Sequence, residues 1–130
     1  VETAPTQLQG GSETILLVED DPTTRMVAER ILRAVGYTVL LANDGLEALD
    51  AFAHSPVPVD LVLTDVVMPH MDGAELADRL TATGASPAVL FMSAYTDEHV
   101  ADERFTRTNF LGKPFTPEAL TRQIRRALDQ

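Results

Sequence analysis

The sequence predicts an α/β fold built on a five-stranded parallel sheet, doubly wound by helices. Two observations carry this. Short apolar runs, ILLV (15–18), TVLLA (38–42), VDLVLT (59–64), AVLFM (88–92) and NFLG (109–112), alternate along the chain with longer stretches of helical period. Each run is continuous rather than alternating in polarity, as expected of strands that have helices on both faces. When strands and helices alternate, each crossover returns the chain to the same edge, so the strands run parallel.

Taken in order, residues 1–13 (VETAPTQLQGGSE) are polar, contain Pro5, Gly10 and Gly11, and have no period. They are expected to form a flexible linker ahead of a folded domain at 14–130. After the first strand, Val27, Ala28, Ile31, Leu32 and Val35 fall on one helical face, and Arg25, Glu29 and Arg33 on another. Asp21 is placed to cap this helix, with Pro22 at its first position. Leu46, Leu49 and Phe52 or Ala53 mark the second helix, and Leu76, Ala77 and Leu80 the third. Leu120, Ile124 and Leu128 mark the last, which Thr116 caps and Pro117 opens. A further helix between the fourth and fifth strands would bring the number to about five. The stretch available for it, YTDEHVADERFTRTN (95–109), is short, so that helix is expected to be abbreviated.

Composition limits the function. The 130 residues amount to one domain, able to bury roughly two-thirds of its unfolded surface. A net charge of -10 repels phosphate backbones, so no nucleic-acid partner is expected and a protein partner is. The absence of cysteine excludes disulfides, thiolate metal sites and a cysteine nucleophile. No apolar run approaches the ~18 residues of a membrane span, and the start of the chain lacks the pattern of a signal peptide. A cytoplasmic domain without membrane contact is therefore expected. The first residue is Val, so the chain reads as processed or as an excerpt of something longer.

In open parallel sheets the functional crevice lies at the carboxyl ends of the strands. There the sequence places Glu19, Asp20 and Asp21 after the first run, Asp65 after the third, Ser93 and Ala94 after the fourth, and Lys113 and Pro114 after the fifth. Clustered carboxylates raise one another's pKa unless a cation neutralises them. Mg²⁺ suits such a site, because it takes one or two carboxylates, keeps several waters and accepts phosphate as a co-ligand. Lys113 is the only lysine among ten basic residues. Its compact ammonium can touch a single phosphoryl oxygen, which the rigid arginine fork does less well.

These residues resemble the receiver domain of two-component response regulators. The resemblance runs from Glu13 to Asp129 and rests on ILLVEDDP, LVLTDVVMPHMDG, LFMSAYTD and FLGKPF in order and spacing. It implies a flavodoxin-like fold with strand order 2-1-3-4-5. It also implies that Asp65 accepts a phosphoryl group from a histidine kinase or a histidine phosphotransfer protein. Asp20 and Asp65 would be direct Mg²⁺ ligands, Glu19 would act through water, and the backbone carbonyl of Val67 would be a further ligand. Ser93 would be the switch hydroxyl, Phe110 the switch aromatic and Lys113 the phosphate-binding lysine, on a cis Lys113-Pro114 bond. Such a domain catalyses its own phosphorylation and dephosphorylation but is primarily a signalling module, a monomer or weak dimer. The linker and the missing Met favour the receiver of a hybrid kinase.

Other readings compete. A degenerate receiver used only for protein binding would not need the acids, Ser93 and Lys113 together. An aspartyl-phosphate phosphohydrolase would want a second acid two residues after its nucleophile, and position 67 is valine. Val67 and Tyr95, at the two positions from which the family reaches the attacking water, carry neither acid nor amide, which implies a long-lived phosphoryl group. His54, His70 and His99 lack metal-ligand spacing. Arg122, Arg125 and Arg126 give the last helix a basic face expected to be solvated.

Overall fold

A computed structural model of the chain describes residues 8–94 and 109–130. Five strands, β1 (Thr14–Val18), β2 (Thr38–Ala42), β3 (Leu61–Asp65), β4 (Ala88–Ala94) and β5 (Phe110–Lys113), form one parallel sheet in the order β2-β1-β3-β4-β5. Among the described residues there are four helices, α1 (Pro22–Ala34), α2 (Gly45–His54), α3 (Gly73–Ala82) and α4 (Pro117–Leu128). The helix expected between the last two strands falls on residues 95–108, outside the described residues.

Strand residues point alternately to the two faces, and both faces are buried. Ile15, Leu17, Leu61 and Leu63 pack with Ala28 and Leu32 of α1 and Leu120 and Ile124 of α4. Leu16, Val18 and Val62 pack on the other side with Ala48 of α2 and Leu76 and Leu80 of α3. This two-sided burial is why the strands read as unbroken apolar runs. Each fully buried Leu contributes about 1.5–3 kcal/mol through the area it removes from water.

The caps follow the sequence. The Asp21 side chain accepts from the Thr24 amide, with Pro22 opening α1, and Thr116 accepts from the Ala119 amide, with Pro117 opening α4. Asp44 and Asp72 cap α2 and α3 in the same way. Lys113-Pro114 is cis.

Three expectations need correction. Val27 is 44% exposed and Leu46 56% exposed, so neither belongs to the buried face of its helix. Helical period marks a stripe about four residues wide per two turns, and the outer members of that stripe need not reach the sheet. Arg125 is not a solvated surface residue, because its guanidinium reaches Glu13, Asp129 and Tyr37, whereas Arg122 and Arg126 are exposed. Strand ends also shift toward the functional edge. β3 includes Asp65, β4 includes Ser93 and Ala94, and β5 includes Lys113. No helix among the described residues is long and apolar enough to cross a membrane.

Candidate functional site

Strand register brings the distant polar residues together. Val18 lies opposite Thr64, so Glu19 and Asp65, the next residues of β1 and β3, emerge side by side at about the 4.8 Å strand spacing. Asp65 lies opposite Met92, one residue before Ser93, and Ala94 lies opposite Lys113. Lys113 thus starts two strands away from Asp65, and its four-carbon stem spans the gap. Its Nζ donates to Glu19 Oε1 at 2.7 Å and to Asp65 Oδ2 at 3.1 Å.

Glu19 is completely buried and held at every polar group. Its amide donates to the Ala42 carbonyl, its carbonyl accepts from Arg25 Nη1 at 2.8 Å, and Oε2 accepts from the Asp21 amide. Burial pushes its carboxyl up to about 7, and the Asp65 charge adds to that, against the opposing pull of Lys113 and the Asp21 amide. For Lys113, burial works against the ammonium. The hydrogen bond to Glu19 and the charges of Asp65 and Glu19 outweigh it, and its pKa stands above the ordinary lysine value.

Asp20 is exposed and lies at the mouth of the cluster. Carboxylate oxygens of Glu19, Asp20 and Asp65 all lie within 4.8 Å of one another. One ammonium against three carboxylates leaves an excess of negative charge, and the donor set is all oxygen. Both features fit a hard divalent cation such as Mg²⁺. Asp21, by contrast, is engaged at the helix, where Oδ2 accepts from the Thr24 amide at 2.9 Å and the Thr24 hydroxyl at 2.6 Å.

The loop after β3 is shaped around Asp65. The Thr64 hydroxyl and the Gly73 amide donate to the carbonyls of Asp65 and Val66, and the Val66 amide donates to Met92. A Cβ at Gly73 would run into the Asp65 carbonyl, so only glycine lets α3 start this close. Val67 projects outward, 55% exposed. Ser93 is buried, its hydroxyl donating to the Ala94 carbonyl at 2.9 Å. Phe110 is half-buried at the start of β5, and its carbonyl accepts from Gln123 of α4. His54 and His70 are exposed and are not members of this cluster, while His99 and Tyr95 lie outside the described residues.

The structure therefore joins Glu19, Asp20, Asp65 and Lys113 and sets Ser93 on the adjacent strand. Sequence reasoning misses Arg25 and Gln123 here. Arg25 shows only as a polar position on α1, and Gln123 has no motif of its own. Neither carries a signal until the helices are docked.

A five-stranded sheet of this order, with an acidic pocket and one lysine at its carboxyl edge, defines the receiver class of signalling domains. Residues 15–125 match the response regulator receiver domain, and the chain belongs to that family. It is 38% identical over 125 residues to the sensor kinase CckA of Brucella abortus, covering 92% of this chain and 13% of that protein. It is 41% identical over 119 residues to the response regulator MprA of Mycobacterium bovis, covering 90% of this chain and 51% of that one. The chain thus spans about half or less of these relatives. Among solved structures, the receiver domain of the hybrid histidine kinase CckA aligns with TM-score 0.73 and 35% identity, covering 88% of this chain and 98% of that one. The chemotaxis response regulator CheY4 of Vibrio cholerae aligns with TM-score 0.77 and 29% identity, covering 91% and 100%.

Proposed function

We propose that this receiver takes a phosphoryl group onto Asp65 from a histidine kinase or a histidine phosphotransfer protein, and that the modification alters a protein-interaction surface. The observation that carries the reading is the lysine-bridged carboxylate pair beside an open, metal-competent acidic mouth. A carboxylate oxygen of Asp65 attacks the donor phosphorus in line, forming an O–P bond as the N–P bond to the donor imidazole breaks and the nitrogen keeps its electron pair. Lys113 is within reach of the charge that spreads over the phosphoryl oxygens. Glu19, held rigidly, keeps that lysine aimed inward. Asp20 and Asp65, with the Val67 carbonyl and Glu19 through water, would hold Mg²⁺, which when bound supplies further charge neutralisation for the transferring group. Ser93 and Phe110 would respond to the new phosphoryl acceptor, the hydroxyl by turning toward it and the ring by moving inward.

The donor's approach is supported by an apolar hollow of about 310 Å³ beside Lys113, lined by Thr23, Thr24, Val27, Ala94, Pro114 and Phe115. Val27, one of the lining residues on α1, leaves 44% of its surface exposed. Such a patch next to a charged centre suits a protein that must deliver a phosphorylated imidazole into the crevice.

The test is incubation with a small phosphodonor and Mg²⁺, read by intact mass. Wild type gains one phosphoryl group and Asp65→Asn gains none. Equal labelling of the two proteins would sink the phosphoacceptor reading.

A further inference from the structure

The residues just ahead of β1 are polar and glycine-rich, yet they are built into the domain. The Gly11 amide donates to the Val35 carbonyl at 3.2 Å, and the Thr38 amide donates to the Glu13 carbonyl at 3.1 Å. Arg125, in the last turn of α4, gathers the same segment from the other side. Its Nη1 donates to the Gly10 carbonyl at 3.2 Å and to Glu13 Oε1 at 3.1 Å, and its Nη2 donates to Glu13 Oε2 at 2.6 Å. Asp129 and the Tyr37 hydroxyl complete the cage around the guanidinium.

Three glycines make this approach sterically possible. A Cβ at Gly10 would strike the carbonyl of Val35 and lie 2.8 Å from its Cβ. A Cβ at Gly11 would lie 2.5 Å from Arg125 Nη1, between that group and the Glu13 carboxylate. Gly36 has a φ of 107°, and a Cβ there would sit 2.5 Å from the Gly11 carbonyl. Side chains at these positions would open a gap at each backbone approach. The bidentate fork of Arg125 is the group that closes it.

We infer that residues 10–13 form a strap, locked by Arg125, that fixes the segment ahead of β1 to the turn between α1 and β2 and to the C-terminal end of α4. It lies at the amino end of the sheet, a strand length of about 17 Å from the acidic edge. Residues 10–13 are therefore held as part of the same rigid body as α4. The same helix begins just after Lys113, Pro114 and Phe115, so one 12-residue rod joins the loop beside the candidate site to the strap. The strap itself does not depend on the phosphoacceptor reading.

Amide exchange followed by NMR on the whole chain tests this. In wild type the Gly11 amide exchanges at least about tenfold more slowly than an unstructured glycine. Gly10→Ala and Arg125→Gln each bring residues 10–13 close to unstructured rates, while Leu16 and Leu63 stay protected. Glu13→Gln, which keeps size and backbone, loosens the same residues by a smaller factor and separates strap release from unfolding. Unprotected Gly11 in wild type, or undiminished protection in Gly10→Ala and Glu13→Gln, overturns the strap. Phosphodonor labelling of Asp65 is expected to be unchanged in all three variants. A failure of labelling in wild type with Gly11 protected bears only on the phosphoacceptor reading.

Discussion

The Lys113 ammonium bridges two carboxylates from different strands, 2.7 Å from Glu19 and 3.1 Å from Asp65, with Glu19 fully buried. Among the described residues, this ammonium is the charge that pairs with both acids. Removing it leaves an uncompensated buried carboxylate, a change that typically costs about 3–5 kcal/mol. Lys113→Met should therefore lower the melting temperature clearly without divalent cations. Millimolar Mg²⁺ should restore more stability to the variant than to wild type, because the cation replaces the missing charge. Thermal melts with and without Mg²⁺ decide it, and a variant as stable as wild type in chelator would show that the bridge is not what stabilises the pair.

Asp20 and Asp21 are neighbours with separate work. Asp20 is exposed at the acidic mouth, while Asp21 caps α1 through the Thr24 amide. Asp20→Ala should weaken Mg²⁺ binding about tenfold or more with little change in stability. Asp21→Ala should lose about 1 kcal/mol of stability, the usual worth of an N-cap, and bind Mg²⁺ nearly as well. Calorimetric titration paired with urea unfolding gives both numbers for both variants. Equal loss of Mg²⁺ affinity would mean that the register of the acidic triplet is misread.

The fold was legible in the sequence because both faces of the sheet are covered, which makes each strand an unbroken apolar run. The clustering of the candidate residues was legible because register makes neighbours of the residues at or just past the ends of β1, β3, β4 and β5. What the sequence did not carry is what each helix face meets. Val27 and Leu46 have the right period for burial but sit at the edge of their stripes, and Arg125 has the look of a surface residue. Its partners Glu13 and Gly10 lie more than a hundred positions away, and no local pattern announces such a pair. The pairing of Glu19 with Lys113 was likewise hidden, since only the docked strands bring the two together.

His70 adopts a φ of 69°, and the Met71 amide donates to the Pro69 carbonyl across it, which makes a tight γ-type turn. A side chain with a Cβ is strained there and glycine is not. His70→Gly should stabilise the protein by roughly 0.5–1 kcal/mol, and His70→Val, with its branched Cβ, should destabilise it by about 1–2 kcal/mol. Urea unfolding of the two variants checks the signs. Destabilisation by glycine would mean that the histidine makes a compensating contact.

The strap carries an acid dependence. The hydrogen bond to Arg125 holds the Glu13 carboxyl below the ordinary value of 4.5, and the Arg125 guanidinium is held correspondingly higher. A carboxyl depressed in the folded state contributes stability above its unfolded pKa and loses it as pH falls through the folded value. Below about pH 4.5 wild type should therefore lose stability that Glu13→Gln has already lost at neutral pH. Denaturant midpoints across pH 3 to 7 should converge for the two proteins on the acid side. Parallel curves over the whole range would mean that the ion pair contributes nothing beyond solvent screening.

If Asp65 is the phosphoacceptor, as proposed, the lifetime of its phosphoryl group turns on what can hold a water opposite the Asp65 oxygen. Val67 follows Asp65 by two residues, and it is 55% exposed. Solvent reaches that position, yet an isopropyl group neither donates nor accepts a hydrogen bond, and a water there is not oriented toward phosphorus. Orientation is what converts an available water into a reactive one, because aligned attack removes part of the entropic barrier. An amide at the same place could hold it. Val67→Asn should therefore speed loss of the phosphoryl group by about tenfold, equivalent to about 1.4 kcal/mol of barrier, without changing how fast Asp65 is first labelled. The decay of phosphorylated protein after removal of the phosphodonor, followed by intact mass, measures this directly. Decay that is already as fast in wild type as in the Asn variant would show that the water is positioned by some other group.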